Sequence, residues 1–298
     1  MPFQFSVKDR TVQAGLRRIA REQAEEALSG LSSDLAADPE AVHAVRKASK
    51  KLRGLLHLAR PVLSEARTEQ ALIAEAARQI SGLRDAQVMQ KTFNTLEKAL
   101  PKEARVPLRA ALDARKAAEA HPEALAQSVA AARETFGDFA TRSGHWKIKG
   151  KEFGALEPGL TDTWRRARKG LHRAQAVADA DDFPAEPFHD WRKRVKRHWY
   201  QARLLEPIWS EMMAPHVKQA DALGELLGDH NDLDVLLTTL EAEPALDGSP
   251  ALEPLRTEVL RRRRTLATDA LRLGSRLFAE PADALADRWG RWWRLWRS

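Results

Sequence analysis

The residues that could do chemistry in this sequence are rows of cations. His43, Arg46, Lys47, Lys50, Arg53, His57 and Arg60 follow one another at short helical steps. At about 100° per helical residue they fall within an arc of about 140°. Val45, Leu52, Leu55 and Leu56 lie on a different face, suited to a core. A second row repeats the pattern: His189, Arg192, Lys193, Lys196 and Arg203 share a face, while Trp191, Val195 and Leu205 turn inward. Side chains at these spacings stand only about 5–6 Å apart, so each row repels itself, and almost no acid sits on it. An ordinary solvated helix face would intersperse acids one turn away. The rows therefore point to an anion track, where arginine forks grip phosphate oxygens and lysines act as point charges. Arg17, Arg18 and Arg21, and Arg165, Arg166, Lys169 and Arg173, either extend the track or lie over the core as snorkelling side chains.

The elements that must hold these rows are helices. Ala, Leu, Arg, Glu and Lys dominate, β-branched residues are few, and apolar residues recur at three- and four-residue spacing with no strand-like alternation. The pattern predicts helices near 8–30, 39–60, 65–81, 84–99, 102–120 and 122–142. A Gly/Lys-rich break covers 143–159. Further helices are predicted near 160–178, 186–206, 208–227, 231–242, 251–278 and 281–296. Asp38-Pro39-Glu40 offers a cap, a first-turn proline and a first-turn acid to the second of them. There is no cysteine, which excludes disulfides and thiolate metal sites. MPFQFSVKDR lacks the basic and apolar regions of a secretory signal, and no apolar run approaches the roughly 20 residues of a bilayer span. The cytoplasm is the expected compartment. Net charge is +7, but 42 acidic residues are present, so the placement of charge, not its sum, carries the argument.

The two halves read as copies. Val42 to Lys51 aligns without a gap on Phe188 to Arg197, at the offset that takes His43 to His189. Leu83-Arg84-Asp85-Ala86-Gln87-Val88 aligns on His230-Asn231-Asp232-Leu233-Asp234-Val235 at an offset one larger. A repeat this long is no solenoid. It predicts a duplicated helical bundle, all-α, arranged about a pseudo-two-fold axis, with repeat 1 at 1–142, a linker at 143–159 and repeat 2 at 160–298.

These residues resemble the CHAD family, the conserved histidine α-helical domain. Its signature, H-x-x-R-[KV]-x-x-[KR]-[KR] in each of two repeats, is matched by His43, Arg46, Lys47, Lys50 and Lys51, and by His189, Arg192, Lys193, Lys196 and Arg197. The element that follows is matched by Leu83-Arg84-Asp85 and by Gly228-Asp229-His230-Asn231-Asp232. The resemblance covers essentially the whole chain, 1–298, as one CHAD domain of the stand-alone type. It implies two four-helix bundles facing each other across a basic central cavity, binding of inorganic polyphosphate, and association with polyphosphate granules and their proteins. On this reading the polyphosphate ligands are His43, Arg46, Lys47, Lys50, Lys51, Arg53, His57, His189, Arg192, Lys193, Lys196, Arg197 and Arg203. The E-x-E-x-K mark of the triphosphatase domain that often accompanies such modules is absent from the sequence, which favours binding without catalysis. The second row carries Trp199 and Tyr200 where the first has Arg53 and Gly54, so the two tracks differ in charge.

Other chemistries find less support. A helical metal pair wants a second ligand one turn from each histidine, and those positions hold Arg46, Lys47, Arg192 and Lys193. Asp229 to Asp234 lacks the glycine and glutamate of a calcium loop, and Asp85 and Asp232 read as helix caps or as partners that orient basic side chains. No nucleophile–base pair, phosphate-cradling loop or paired carboxylate stands out, so no catalytic residue, metal or cofactor is expected. The alternatives to polyphosphate are a nucleic-acid backbone, or less readily a metal-dependent phosphoanhydride hydrolase. Trp289, Trp292, Trp293 and Trp296 share a face at the C-terminus and either close a bundle core or dock on a membrane surface or partner. If His43 and His189 donate to phosphate oxygens, a bound phosphate favours their charged form. Polyphosphate affinity should then rise between pH 8 and 6; a titration series that stays flat across that range would remove the histidines from the site.

Overall fold

A computed structural model of the chain describes residues 3–31, 39–80, 82–118, 122–180 and 183–298, and their side chains except those of 39–41, 82–86, 118 and 122–125. Among the described residues there are helices and no strands, as the apolar spacing predicts. α1 (Val12–Gly30), α2 (Pro39–Ala59), α3 (Ala66–Gln79), α4 (Gly82–Leu96), α5 (Lys102–Ala118) and α6 (Pro122–Ser143) make the first half. α7 (Glu152–Ala176), α8 (Glu186–Leu205), α9 (Ser210–Glu241), α10 (Leu252–Leu277) and α11 (Ala282–Arg297) make the second.

Three boundaries depart from the sequence reading. α1 begins at Val12 because Thr11 caps it, its Oγ1 accepting from the Ala14 N–H at 3.1 Å. Before it, Phe3 and Phe5 are buried, and the Phe5 N–H donates to the Leu204 carbonyl at 2.9 Å, strapping the N-terminal segment across the end of α8. α7 begins at Glu152, inside the predicted break. α9 is a single helix where two were expected. The reason is that Gly224 and Gly228 face α8 and serve close packing, not chain reversal. The Asp38 cap lies outside the described residues.

Packing does not respect the halves. One apolar core draws on α1, α2, α3 and α6 and equally on α7, α8, α11 and the start of α9. A second, smaller cluster joins Phe93, Leu96 and Leu108 of α4 and α5 to Leu236, Leu240 and Leu255 of α9 and α10. Trp289 and Trp293 are buried in the larger core, Trp293 donating its indole N–H to Glu152 at 3.0 Å, so the face they share closes the bundle. Trp292 and Trp296 are half-buried at its margin.

Two glycines set how closely the basic helices approach. A Cβ on Gly54 of α2 would stand 2.5 Å from the Tyr200 Cβ of α8. A Cβ on Gly159 of α7 would stand 2.0 Å from the Leu58 carbonyl oxygen of α2. Neither obstacle can swing away, the first being rooted at its own backbone and the second being backbone. Gly159→Ala should therefore lower unfolding stability by about 1–3 kcal/mol or more, measurable by urea denaturation; an unchanged midpoint would mean the helices are not held at contact.

The core also holds histidines. His198 is fully buried among Trp164, Phe278 and Trp289, and its Nε2 meets Nε2 of His216 at 2.7 Å. Burial, then the Arg288 charge, pushes His216 down to about 4, and burial, then Arg263, pushes His230 down to about 3. The folded state thus keeps both neutral, whereas the unfolded chain takes up protons as pH falls through the ordinary value of 6.5. The stability this represents is complete above pH 6.5 and is lost progressively toward pH 4. The urea midpoint should fall across that window, and fall less in His216→Gln.

Candidate anion-binding site

The second basic row lies along a seam between α8 and α9. His189 Nδ1 meets the Asn231 Oδ1 amide oxygen. One turn on, the Arg192 guanidinium lies against Gly228, where a Cβ would be 3.5 Å from its Nε. One turn further, the Lys196 stem crosses Gly224, where a Cβ would meet its Cε at 2.7 Å. Each step up α8 is matched by an equal step down α9, so the two helices run antiparallel here. Lys196 Nζ donates to Asp221 at 3.1 Å and sits 4.5 Å from the centre of the Trp199 ring; Arg203 lies over the same ring at 5.1 Å. An acceptor oxygen at this position suits the tautomer that carries its proton on Nδ1.

On α2, His43, Lys47 and Lys50 are exposed, and Arg46, Arg53 and His57 are half-buried. Arg53 Nε and His57 Nε2 are buried with no hydrogen-bond partner among the described residues, and so is Arg192 Nε. The rows meet at Tyr200. Burial pushes its phenol up to about 12, while Arg203, Arg192 and Arg53 pull the other way and Asp221 reinforces the rise. Arg53 thus comes from the first row into the surroundings of the second.

The expectation that acids are absent needs correction, because acids reach in from neighbouring helices and from α8 itself. Lys51 is buried and bonded to Glu26 of α1 at 2.8 Å, which takes it out of the exposed row. Lys196 is paired with Asp221, and Lys193 donates to Asp190 at 3.2 Å. The Lys193 hydrogen bond, helped by the charges of Lys193, Arg194 and His189, holds the Asp190 carboxyl below its usual range. The flanking cations are mostly engaged elsewhere. Arg17 donates to the Trp146 carbonyl at 2.9 Å, Arg18 to Asp9 at 2.7 Å, and Arg21 lies 3.8 Å from Glu25. Arg165 pairs with Asp283 at 2.6 Å, and Lys169 and Arg173 stand exposed on α7. Arg166 alone of these seven approaches the rows, within electrostatic reach of His57 and Arg197.

Asp232 is not a cap, since it sits inside α9, where its carboxylate accepts from the Asn231 amide at 3.3 Å. The side chains of Leu83, Arg84 and Asp85 lie outside the described residues. His230, next to Asn231 in sequence, points the other way and stacks on Phe188 at 4.7 Å. Asn231 as the support of His189, and the Gly224–Gly228 ledge beneath Arg192 and Lys196, were missed from sequence. The signal was there: two glycines one helical turn apart, opposite two cations one turn apart.

Residues 13–241 match the family model of the CHAD domain. The chain belongs to the CHAD family. Its fold is similar to that of PptA from Streptomyces chartreusis, with a TM-score of 0.63 and 17% sequence identity over 89% of this chain and 98% of that one. Among curated proteins, none matches the sequence. In this CHAD domain no described helix is long and apolar enough to cross a membrane, and no group of three or more His, Asp or Glu side chains gathers among the described residues.

The ledge generates a test. In Gly224→Ala the added methyl would displace the Lys196 stem, which is flexible, while an alanine suits a helix interior better than glycine by about 0.5–1 kcal/mol. The variant should keep its thermal stability yet bind a polyanion several-fold more weakly in a fluorescence titration. Unchanged affinity would show that the position of Lys196 does not matter to the ligand.

Proposed function

We propose that this CHAD domain binds inorganic polyphosphate without cleaving it, along the half-buried cations of α2 and α8. The observation that carries the reading is the close approach of α2 and α8 at Gly54 and Tyr200, which puts Arg53 of the first row and Arg192 and Arg203 of the second within electrostatic reach of one phenol. Buried guanidinium nitrogens without a partner are costly, and no carboxylate is paired with these three among the described residues. A chain of phosphates lying along these guanidinium groups would supply acceptors at regular spacing, releasing counterions as it docks. Membership of the CHAD family supports the same ligand. The duplication and its pseudo-two-fold axis belong to this proposal, supported by the contact between Gly54 and Tyr200, which occupy equivalent positions in the aligned halves. In the cell the protein would then sit at polyphosphate granules in the cytoplasm.

A nucleic-acid backbone is the rival ligand. Sequence-tolerant single-strand binding relies on aromatic platforms that stack bases. Trp199, the aromatic residue on the second row, already has Lys196 and Arg203 over its ring, which speaks against that use. Single-stranded DNA that displaces polyphosphate at equal phosphate concentration would reverse this order. Phosphate release on adding magnesium or manganese would replace binding with hydrolysis.

The direct test is polyphosphate affinity against salt. Wild type should show a steep log–log slope, which becomes shallower by about one for every phosphate-binding cation that is replaced. Arg46→Glu/Lys50→Glu/Arg192→Glu/Lys196→Glu should bind at least about 100-fold more weakly, with a shallow slope and unchanged helical circular dichroism. Equal slopes for the two proteins would remove the proposed function.

A further inference from the structure

A second group of cations gathers in a pocket between α2, α7 and α8. His57 and Arg60 come from α2, Arg166 and Asp162 from α7, Arg194 and Arg197 from α8, around a small space that opens to solvent. Arg197 stands five residues beyond Arg192, about 140° around the helix. The pocket is therefore not part of the α8–α9 seam.

Its charge is unbalanced. Asp162, the one acid on its wall, is held by Arg166, whose Nε donates to both carboxylate oxygens at 2.8 Å. Asp190 reaches Arg194 only at 3.7 Å. Arg197 has no acid partner among the described residues. Burial, then the charges of Arg194, Arg53, Arg166 and Arg60, pushes it down to about 10. Burial, then Arg197, Arg60, Arg53 and Arg166, pushes His57 down to about 3, and its Nε2 is buried without a partner. The equivalent position in the first half shows what is missing. Lys51 aligns with Arg197, and there Glu26 supplies a carboxylate at 2.8 Å. The apolar core behind these cations holds the helices together against their repulsion, as closely as Gly159 and Gly54 allow.

Donors that converge from three helices on a small concave space match a group with three or more free oxygens. Orthophosphate and the terminal phosphoryl group of a chain have them; an interior phosphoryl unit has two non-bridging oxygens. We propose that this pocket is a distinct site for one tetrahedral oxyanion, either free orthophosphate or the end group of a polyphosphate chain. For the free ion the proposal stands apart from the track; for the chain end it rests on the polyphosphate reading, with His57 and Arg197, both expected among the polyphosphate ligands, serving this pocket instead of the track.

Isothermal titration at low ionic strength would test it with three probes: inorganic orthophosphate, polyphosphate with free ends, and the same chains with esterified ends. Arg197→Gln removes a charge that burial already penalises, and Arg60→Gln replaces an exposed side chain, so both should fold with unaltered circular dichroism. Arg256→Gln on α10 controls for the loss of one positive charge. Weakening of orthophosphate binding by at least tenfold in the two pocket variants, and not in the control, assigns the free ion. A tenfold loss confined to free-ended chains assigns the chain end. Equal binding of all three probes by wild type and both variants overturns the proposal, as does an equal loss for esterified chains. Orthophosphate bound by a wild-type protein that ignores long chains would still support the pocket while removing the polyphosphate reading.

Discussion

Repulsion between like charges, held in check by an apolar core, is the constraint on which this structure turns. Arginines from α2, α7 and α8 are brought within electrostatic reach of one another and partly out of water. Left to themselves they would push the helices apart. The apolar core of tryptophans and leucines behind them holds the helices together, as closely as the bare Gly159 and Gly54 allow. The folding energy of that core therefore maintains an electrostatic potential that the surface alone would not sustain.

The charges are graded, not uniform. Lys51, Lys193 and Lys196 each have a carboxylate close by, so an incoming anion must compete for them. Arg53, Arg192 and Arg197 have none among the described residues. An arginine cannot shed its proton to escape the cost of burial, as a lysine can. Placing arginine at the half-buried unpaired positions and lysine at the paired ones keeps the positive potential fixed across the ordinary pH range.

Much of this was legible in the sequence. The two rows, their spacing and their inward apolar partners follow from helical periodicity, and the doubled pattern led to the family. What was not legible depends on tertiary neighbours. Glu26 and Asp221 lie on other helices, so no count along α2 or α8 could find the acids that neutralise Lys51 and Lys196. Gly228 falls in the break predicted between two helices because glycine marks both turns and close contacts, and only the helix lying opposite tells them apart. Arg194 and Arg60 fell off or at the edge of the rows, yet a third helix brings Arg166 to meet them.

The 32-residue α9 has a mechanical consequence. Its first turns are packed in the large core and its last turns in the smaller one, so one uninterrupted rod is shared by both. Loosening the small cluster would strip the end of α9 of its neighbours and carry strain back along the rod to Gly228 and Gly224, beneath Arg192 and Lys196. Distant melting and the placement of those two cations are thereby coupled through α9.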